Sequence, residues 1–275
     1  MKSELLKRTV FGAIYVALVV GSMLLWRPYF FQLLFLVVTT LAVREFHRIN
    51  RSDLLLTLSG MLLAWLMFAS VSLLVCTAYL EAPVVLLGAY GLVLLLTLAA
   101  ELFKKAADPI ANWGILLAGQ AMIALPFTLM NLLFDKSPML LLALFVIIWL
   151  NDSGAYCVGS LLGRHKMFPR VSPGKSWEGL AGGAVFGMAA GYVFLSDPFG
   201  FSGLEFAWWQ SLALGLTVVI AGTLGDLMES LTKRTLGIKD SGNVIPGHGG
   251  WLDRFDSILF ATPALLLALL ALRLI

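Results

Sequence analysis

The chain has 275 residues, of which 60% are hydrophobic and 13% charged, and its mean hydropathy is +0.92. A soluble domain is roughly 45–50% apolar and about 25% charged, so this composition excludes an ordinary soluble protein and indicates a polytopic membrane protein. The net charge of +3 comes from basic residues dispersed between apolar runs. This dispersal argues against a nucleic-acid-binding surface, and we expect no nucleic-acid partner.

Nine apolar segments follow one another along the chain, and most reach the roughly 20 residues that span a bilayer as a helix. They cover residues 10–26, 30–48, 54–79, 84–103, 111–133, 139–162, 176–195, 207–233 and 254–273. The pattern predicts an all-α fold of about nine transmembrane helices. We divide it into an N-terminal half, residues 1–135, and a C-terminal half, residues 136–275, in which the polar residues concentrate.

Basic residues predict the orientation. Lysine and arginine fall in the N-terminus and in the second, fourth, sixth and eighth loops, with the exceptions of Arg27, Lys136 and Arg273. The positive-inside rule places those loops and the N-terminus in the cytoplasm and the C-terminus outside. We therefore expect a multi-pass protein of the inner (cytoplasmic) membrane whose most polar loops face cytoplasmic nucleotides and magnesium. We interpret Arg8, Arg44, Glu45 and Arg48 as interface anchors, with guidance of an acidic lipid head group as the alternative.

The most polar stretch of the chain extends from Gly225 to Ser257. Asp226, Glu229, Ser230 and Lys233 are spaced at i, i+3, i+4 and i+7, so they share one helical face. An intramembrane carboxylate is expensive and usually faces a cavity, a cation or a basic partner. Two interpretations of Asp226 stay open: a functional polar site, and an ion pair that locks helices together.

The loop that follows has features of an anion site. Gly249 and Gly250 permit close backbone approach, and the exposed N–H groups of the next helix start suit phosphate. Asp253 and Asp256 share the first turn of that helix, and carboxylates beside basic residues suit magnesium with a polyphosphate. A solvated charged loop would explain Lys239 and Asp240 adequately, but it does not explain two glycines, a histidine and three carboxylates at the membrane face.

The sixth segment carries a second polar stripe. Asp152, Tyr156 and Gly159 are spaced at i, i+4 and i+7, which predicts that they line a cavity. Gly154, Gly159 and Gly163 would alternatively favour close helix packing. We expect both: the glycines pack, and Asp152 faces the polar pocket.

A family signature is contained in the polar stretch. In order, its residues are Ser230, Lys233, Arg234, Lys239, Asp240, Pro246, His248, Gly249, Gly250, Asp253, Arg254 and Asp256. This set, over about 27 positions, resembles the signature of the phosphatidate cytidylyltransferase (CDP-diglyceride synthase) family. Residues 151–156 and 172–179 look like further parts of that family, whereas the N-terminal half matches only in its pattern of apolar segments.

The resemblance implies a nucleotidyltransferase of phospholipid biosynthesis that converts CTP and phosphatidic acid to CDP-diacylglycerol and pyrophosphate, with residues 136–275 as the catalytic half. The attacking lipid phosphate is already anionic, so the difficulty is electrostatic and cations are the remedy. The resemblance implies Mg²⁺, a second monovalent cation such as K⁺, and a homodimer in the lipid bilayer. The assigned metal ligands are Asp226 and Asp253, with Asp256 as a third or outer carboxylate.

The remaining site residues follow from the same resemblance. Lys233 and Arg234 would hold phosphates, so the catalytic set is Asp226, Lys233, Arg234, Asp253 and Asp256. Arg254 would bind phosphate or orient a carboxylate, and His248 is either a phosphate donor or a loop-packing residue. The substrate-binding set is Asp152, Lys175, Ser176, Glu178, Ser230, Lys239, His248, Gly249, Gly250 and Arg254.

The sixth loop contains the sequence Gly-Lys-Ser at 174–176, which looks like the end of a P-loop. The earlier glycine of that motif would fall on Pro169, and no strand is expected before it, so we reject a P-loop. Lys175 and Ser176 could still reach a CTP phosphate, with Glu178 paired to them. Ser176, or the Ser-Pro pair at 172–173, is expected to cap the seventh helix.

Three other functions compete with this prediction. A transporter or channel could use the same aspartates as an ion relay, but no inverted repeat is visible. A CDP-alcohol phosphotransferase would carry an Asp-Gly-x-x-Ala-Arg motif, which is absent from the sequence. A lipid kinase would accept ATP in place of CTP.

Overall fold

The computed structural model describes residues 2–25, 28–77, 79–242 and 249–275. Within these ranges the chain is built of α-helices. They are α1 (Lys2–Leu24), α2 (Pro28–Ile49), α3 (Leu54–Cys76), α4 (Glu81–Lys104), α5 (Pro109–Gly119), α6 (Leu125–Lys136), α7 (Pro138–Leu162), α8 (Trp177–Leu195), α9 (Trp208–Thr235) and α10 (Leu252–Ala271). A π-helical turn, Gln120–Ala124, joins α5 to α6.

The predicted all-α polytopic fold is confirmed. In the described part of the chain, eight helices are long and apolar enough to cross a membrane, and Val10–Leu24 is a shorter apolar helix. The fifth predicted segment is one span, Pro109–Lys136, that includes the π-helical turn. Together these helices match the nine predicted segments. The prediction works because a segment that crosses the bilayer must be apolar over about 20 residues, and this is visible in the sequence.

Local sequence sets where several helices begin. The side chain of Asp53 accepts a hydrogen bond from the Leu56 amide at 2.7 Å, and Asp108 accepts one from the Ala111 amide at 2.9 Å. Ser137 caps α7 in the same way. Proline occupies the first turn of both α5 and α7, where its missing N–H is harmless.

The loop between α7 and α8 contains a structure that the sequence analysis did not predict. Two short antiparallel strands, β1 (Lys166–Phe168) and β2 (Ser172–Ser176), form a hairpin. The expectation that no strand precedes Gly174 was therefore wrong. The P-loop remains rejected, because the Gly-Lys-Ser sequence lies within β2 itself rather than in a loop between a strand and a helix.

The chain divides into two compact units. The first contains residues 1–132 and 240–254, and the second contains residues 133–239 and 255–275. In the first unit α3 packs against α2 and α4. In the second, α8 packs against both α7 and α9, and this unit contains most of the predicted site.

Glycines on α8 allow its close packing in the second unit. Gly179, Gly183, Gly187 and Gly191 recur every fourth residue and so lie along one face of the helix. A Cβ atom at Gly179 would lie 3.0 Å from the Ala155 carbonyl oxygen of α7, and one at Gly191 would lie 2.8 Å from the Ser211 carbonyl oxygen of α9. Such small-residue stripes are how membrane helices approach closely without a hydrophobic driving force.

Candidate active site

A cavity of about 640 Å³ lies in the second unit, between α7, the hairpin, α8 and α9. This volume is within the roughly 300–1,000 Å³ of small-molecule sites. Its polar lining includes Asn151, Asp152, Lys166, Lys175, Thr223 and Asp226. Asp152 and Asp226 each lie about two to three turns before the C-terminal end of their helix, so the chemistry is concentrated at one end of the helix group.

Asp226 on α9 is paired with Lys175 on the hairpin. The Lys175 Nζ atom lies 2.7 Å from Asp226 Oδ2, and the Ser230 hydroxyl donates to Asp226 Oδ1 at 3.3 Å. An ion pair therefore joins Asp226 to the hairpin rather than to a second helix, and both of its members line the cavity; a functional role for Asp226 stays a prediction. About a quarter of the Lys175 side chain and a third of the Asp226 side chain stay exposed.

The stripe on α7 faces the cavity as predicted. Asp152, Tyr156 and Gly159 all line it, and the Asn151 amide donates to Asp152 Oδ1 at 3.2 Å. Gly159 also packs closely on α8, because a Cβ atom there would lie 3.4 Å from the Gly179 Cα atom. Both predicted roles of this stripe, packing and cavity lining, are confirmed.

Asp256 joins the same group of carboxylates. The carboxyl groups of Asp226, Asp152 and Glu229 are its electrostatic neighbours. Gly225 permits this approach of α9 to α10, since a Cβ atom there would overlap the Asp256 carbonyl oxygen. Four carboxyl groups therefore gather around one region of the second unit, and two of them, Asp226 and Glu229, form ion pairs with Lys175 and Lys233.

These oxygens suit a hard divalent cation such as magnesium. As the side chains stand, no three acidic, histidine or cysteine residues of the described ranges form a ready metal-binding set. The Lys175 ammonium lies against Asp226 in the position of a neutralising cation. The carboxylate oxygens are nevertheless of the donor type that a divalent metal ion prefers.

The other basic residues of α9 have partners of their own. The buried Lys233 forms an ion pair with Glu229 at 3.0 Å. Arg234 donates to the Val171 carbonyl oxygen at 3.4 Å and to the Ile238 carbonyl oxygen at 3.3 Å, which ties α9 to the hairpin. Their predicted contacts with substrate phosphates stay a prediction.

Ser176 and Glu178 organise the start of α8. The Ser176 hydroxyl accepts a hydrogen bond from the Gly179 amide at 3.1 Å, which confirms Ser176 as the cap. The expected pairing of Glu178 with Lys175 or Ser176 was wrong. Glu178 instead accepts from the Arg164 and His165 amides at 3.2 Å and pairs with the His165 ring, so it connects the first turn of α8 to the residues that follow α7.

The part of the signature next to α10 belongs to the first unit. Asp253 Oδ2 accepts from the Gly250 amide at 2.7 Å and from the Ser241 amide at 3.0 Å. Gly249 has a φ of +80°, a left-handed conformation that favours glycine. Lys239 is exposed and belongs to the second unit. Arg254 lies in the first turn of α10. Pro246 and His248 lie outside the described residues.

Four polar residues that line the cavity were not predicted as site residues: Asn151, Ser160, Lys166 and Thr223. Lys166 lines it through the unpredicted hairpin, whereas Thr223 could have been found, because it interrupts an otherwise apolar run beside Asp226. The interpretation of Glu45 as an interface anchor was wrong. Glu45 is only 4% exposed and accepts hydrogen bonds from the start of α10, a contact across more than 200 residues that no local pattern reveals.

Comparison with known proteins gives two findings. A family model described as "Cytidylyltransferase family" matches residues 6–272. Proteins named phosphatidate cytidylyltransferase are similar to this chain: those of Staphylococcus saprophyticus and Staphylococcus haemolyticus are 44% and 45% identical over 121 residues, and that of Bacillus subtilis is 47% identical over 120 residues. Each alignment covers 44% of this chain and 43–45% of the relative, so the chain spans less than half the length of the curated relatives it matches.

Proposed function

This chain belongs to the cytidylyltransferase family, and we propose that it is a phosphatidate cytidylyltransferase, which forms CDP-diacylglycerol and pyrophosphate from CTP and phosphatidic acid. The observation that carries the proposal is the cavity in which Asp152, Asp226, Lys166 and Lys175 meet. A nucleotide fits its volume, and its mixture of carboxylates and ammonium groups suits a polyphosphate with a cation. The names of the similar proteins support the same reaction.

The proposed reaction needs positioning and charge neutralisation. An oxygen of the lipid phosphate bonds to the α-phosphorus of CTP, the bond from that phosphorus to the β-phosphate oxygen breaks, and pyrophosphate leaves. A phosphate monoester has a second pKa of about 6, so the nucleophile is anionic near neutral pH and no side chain has to remove a proton. The protein must instead bring two anions together, which fixed cations accomplish.

Two lysines of the hairpin supply fixed positive charge at the cavity. Lys175 already neutralises Asp226, and Lys166 presents a second ammonium group to the same space. We propose that both contact substrate phosphates, while Lys233 and Arg234 support them from the end of α9. Ser230, which bonds to Asp226, would keep that carboxylate in its orientation.

We propose Mg²⁺ as the cofactor, held by Asp226, Asp253 and Asp256. When bound, the ion would neutralise phosphate charge and polarise the α-phosphorus. The gathering of Asp152, Asp226, Asp256 and Glu229 supports a cation at this place. A second, monovalent cation such as K⁺, and a homodimer, rest on the family resemblance alone.

The membrane arrangement is part of the proposal. We place the protein in the inner membrane with the N-terminus in the cytoplasm, because the basic residues fall in alternate loops. The cavity lies at the ends of α7 and α9 and the start of α8, which under this orientation face cytoplasmic CTP. The lipid substrate would be taken from the bilayer.

Transfer of a labelled nucleotide to lipid tests the proposed function. Purified protein receives phosphatidic acid, Mg²⁺ and CTP labelled with ³²P at the α-phosphate, and the label is measured in the organic phase after extraction. We expect α-label to enter the lipid with release of one pyrophosphate for each lipid formed. Chelation of Mg²⁺ should stop the transfer.

Two further labels separate the competing functions. CTP labelled at the γ-phosphate should leave the lipid unlabelled, whereas a lipid kinase would transfer that label. ATP should replace CTP poorly. An α-label that stays in the aqueous phase, with a folded protein, would contradict the proposal.

A further inference from the structure

Glu45 is a buried carboxylate that the proposed reaction does not use. It lies on α2, close to the end of that helix, and only 4% of it is exposed. A carboxylate is costly to bury unless hydrogen-bond donors surround its charge. Its donors therefore indicate what it does.

Those donors come from the two chain segments that flank residues 243–248. On one side, the Ser241 hydroxyl donates to Glu45 Oε1. On the other side, the Trp251 amide donates to Oε2 at 3.0 Å and the Leu252 amide to Oε1 at 3.2 Å. These two amides begin α10, where N–H groups lack helical partners and the helix dipole favours an anion.

Asp253 makes a second set of bonds between the same two segments. Its Oδ2 atom accepts from the Ser241 hydroxyl at 2.9 Å as well as from the Ser241 and Gly250 amides. Arg48, one turn after Glu45, donates to the Ser241 carbonyl oxygen at 3.1 Å. The single hydroxyl hydrogen of Ser241 thus lies between the carboxylates of Glu45 and Asp253, and α2 binds residues 241 and 251–252.

The fit leaves little room for change. A Cβ atom at Gly250 would overlap the Glu45 carboxylate and the Ser241 hydroxyl. A side chain at Gly242 would meet Glu45 Oε2 at 2.9 Å and the Arg48 guanidinium at 3.1 Å. The two glycines allow the backbone to approach the carboxylate closely, which indicates a built contact rather than an incidental one.

We propose that Glu45 is a positioning residue for Asp253: by binding Ser241 on one side and the start of α10 on the other, it fixes the orientation of that carboxylate. A residue of the N-terminal half would then set the orientation of a proposed metal ligand about 200 residues later in the chain. The positioning itself is a structural claim, and its effect on turnover rests on the proposed function.

Hydrogen exchange of the backbone amides tests the positioning without any substrate. In Glu45→Gln the charge is lost while the side-chain shape is kept, so we expect the amides of residues 250–252 to exchange at least tenfold faster. Exchange in α7, α8 and α9 should not change. Unchanged exchange at 250–252 in the folded variant, or a uniform increase throughout the chain, would overturn the proposal.

Two other variants serve as controls. Ser241→Ala removes the shared hydroxyl and should raise the exchange rate of the same amides. The double variant Glu45→Gln/Ser241→Ala should exchange only slightly faster than either single variant. Glu101→Gln removes another carboxylate that is only 3% exposed, one that binds Lys104 and Asn112 in the same unit. It should leave exchange at 250–252 unchanged, and equal effects of the two Glu→Gln variants would contradict a specific role for Glu45.

Kinetics then test the consequence for the reaction. We expect Glu45→Gln to lower kcat about tenfold or more, to raise the Mg²⁺ concentration needed for half-maximal rate, and to leave KM for phosphatidic acid unchanged. If kcat falls but the Mg²⁺ concentration needed for half-maximal rate does not change, Glu45 does not act through Asp253. If the wild-type protein fails to use CTP, the proposed function fails, but the exchange experiment still decides the role of Glu45.

Discussion

Among single residues, Asp226 stands out because it binds Lys175 of the hairpin and also lines the cavity. Helical spacing predicted the polar face that contains Asp226, because i, i+3 and i+4 positions are neighbours on any helix. The identity of its partner was not predictable. Lys175 reaches Asp226 through a strand pairing some 50 residues earlier in the chain, and no periodicity records such a contact.

Replacement of Asp226 by asparagine tests its role in turnover. Asp226→Asn keeps the side-chain size but removes the charge, so we expect kcat to fall on the order of 100-fold or more, as when a key electrostatic group is lost. The measurement is transfer of α-labelled CTP to lipid. Asp108→Asn, at the start of α5, is the matched control and should retain activity, whereas full activity in Asp226→Asn would remove this residue from the catalytic set.

Lys166 gives a second test at this scale. No ion pair to Lys166 is found within the described ranges, and its side chain lines the cavity. Lys166→Ala should raise KM for CTP roughly tenfold, since a hydrogen bond to a charged group contributes about 1.5–3 kcal/mol. Arg170→Ala removes a positive charge from the turn of the same hairpin, away from the cavity lining, and should have little effect. Equal effects in both variants would indicate general charge attraction instead.

At the scale of elements, hydropathy was enough to find the helices but not the hairpin. Long apolar runs predict membrane helices because the bilayer demands internal hydrogen bonding over a fixed length. The hairpin consists of strands of three and five residues, which are too short for a periodic signal and depend on each other for hydrogen bonds. The stripe of four glycines on α8 is visible in the sequence at i+4 spacing, but the spacing alone does not show which helices pack against it.

The glycine stripe on α8 predicts that a leucine lowers stability at a packed glycine but not at an open one. In Gly187→Leu the new side chain would meet Val219 and Ile147, so we expect destabilisation of about 1–3 kcal/mol from overpacking. At Gly88 on α4, a Cβ atom would have no neighbouring atom within 4 Å in the described part of the chain, so Gly88→Leu is the control. Thermal unfolding followed by tryptophan fluorescence in detergent compares the two variants, and equal stability would show that the stripe does not govern packing.

For the whole molecule, the proposed orientation in the membrane places the opening of the site on the cytoplasmic side. Residues of the eighth loop should face the cytoplasm. With Cys76 and Cys157 replaced by serine, Asp240→Cys should react with a membrane-impermeant maleimide in inside-out vesicles and stay unlabelled in intact cells. Phe199→Cys, on the exposed loop between α8 and α9, should show the opposite pattern. Labelling of Asp240→Cys from outside would reverse the proposed orientation.

The central claim is that aspartates of α9 and α10 hold the divalent cation that lets two phosphates react. The most direct measurement is a crystal structure of the protein with Mn²⁺ and a non-hydrolysable CTP analogue, with anomalous scattering used to locate the metal. We predict an anomalous peak within coordination distance of Asp226, Asp253 and Asp256, beside the nucleotide phosphates. A peak away from these carboxylates, or none, in protein that is active with Mn²⁺ would contradict the claim.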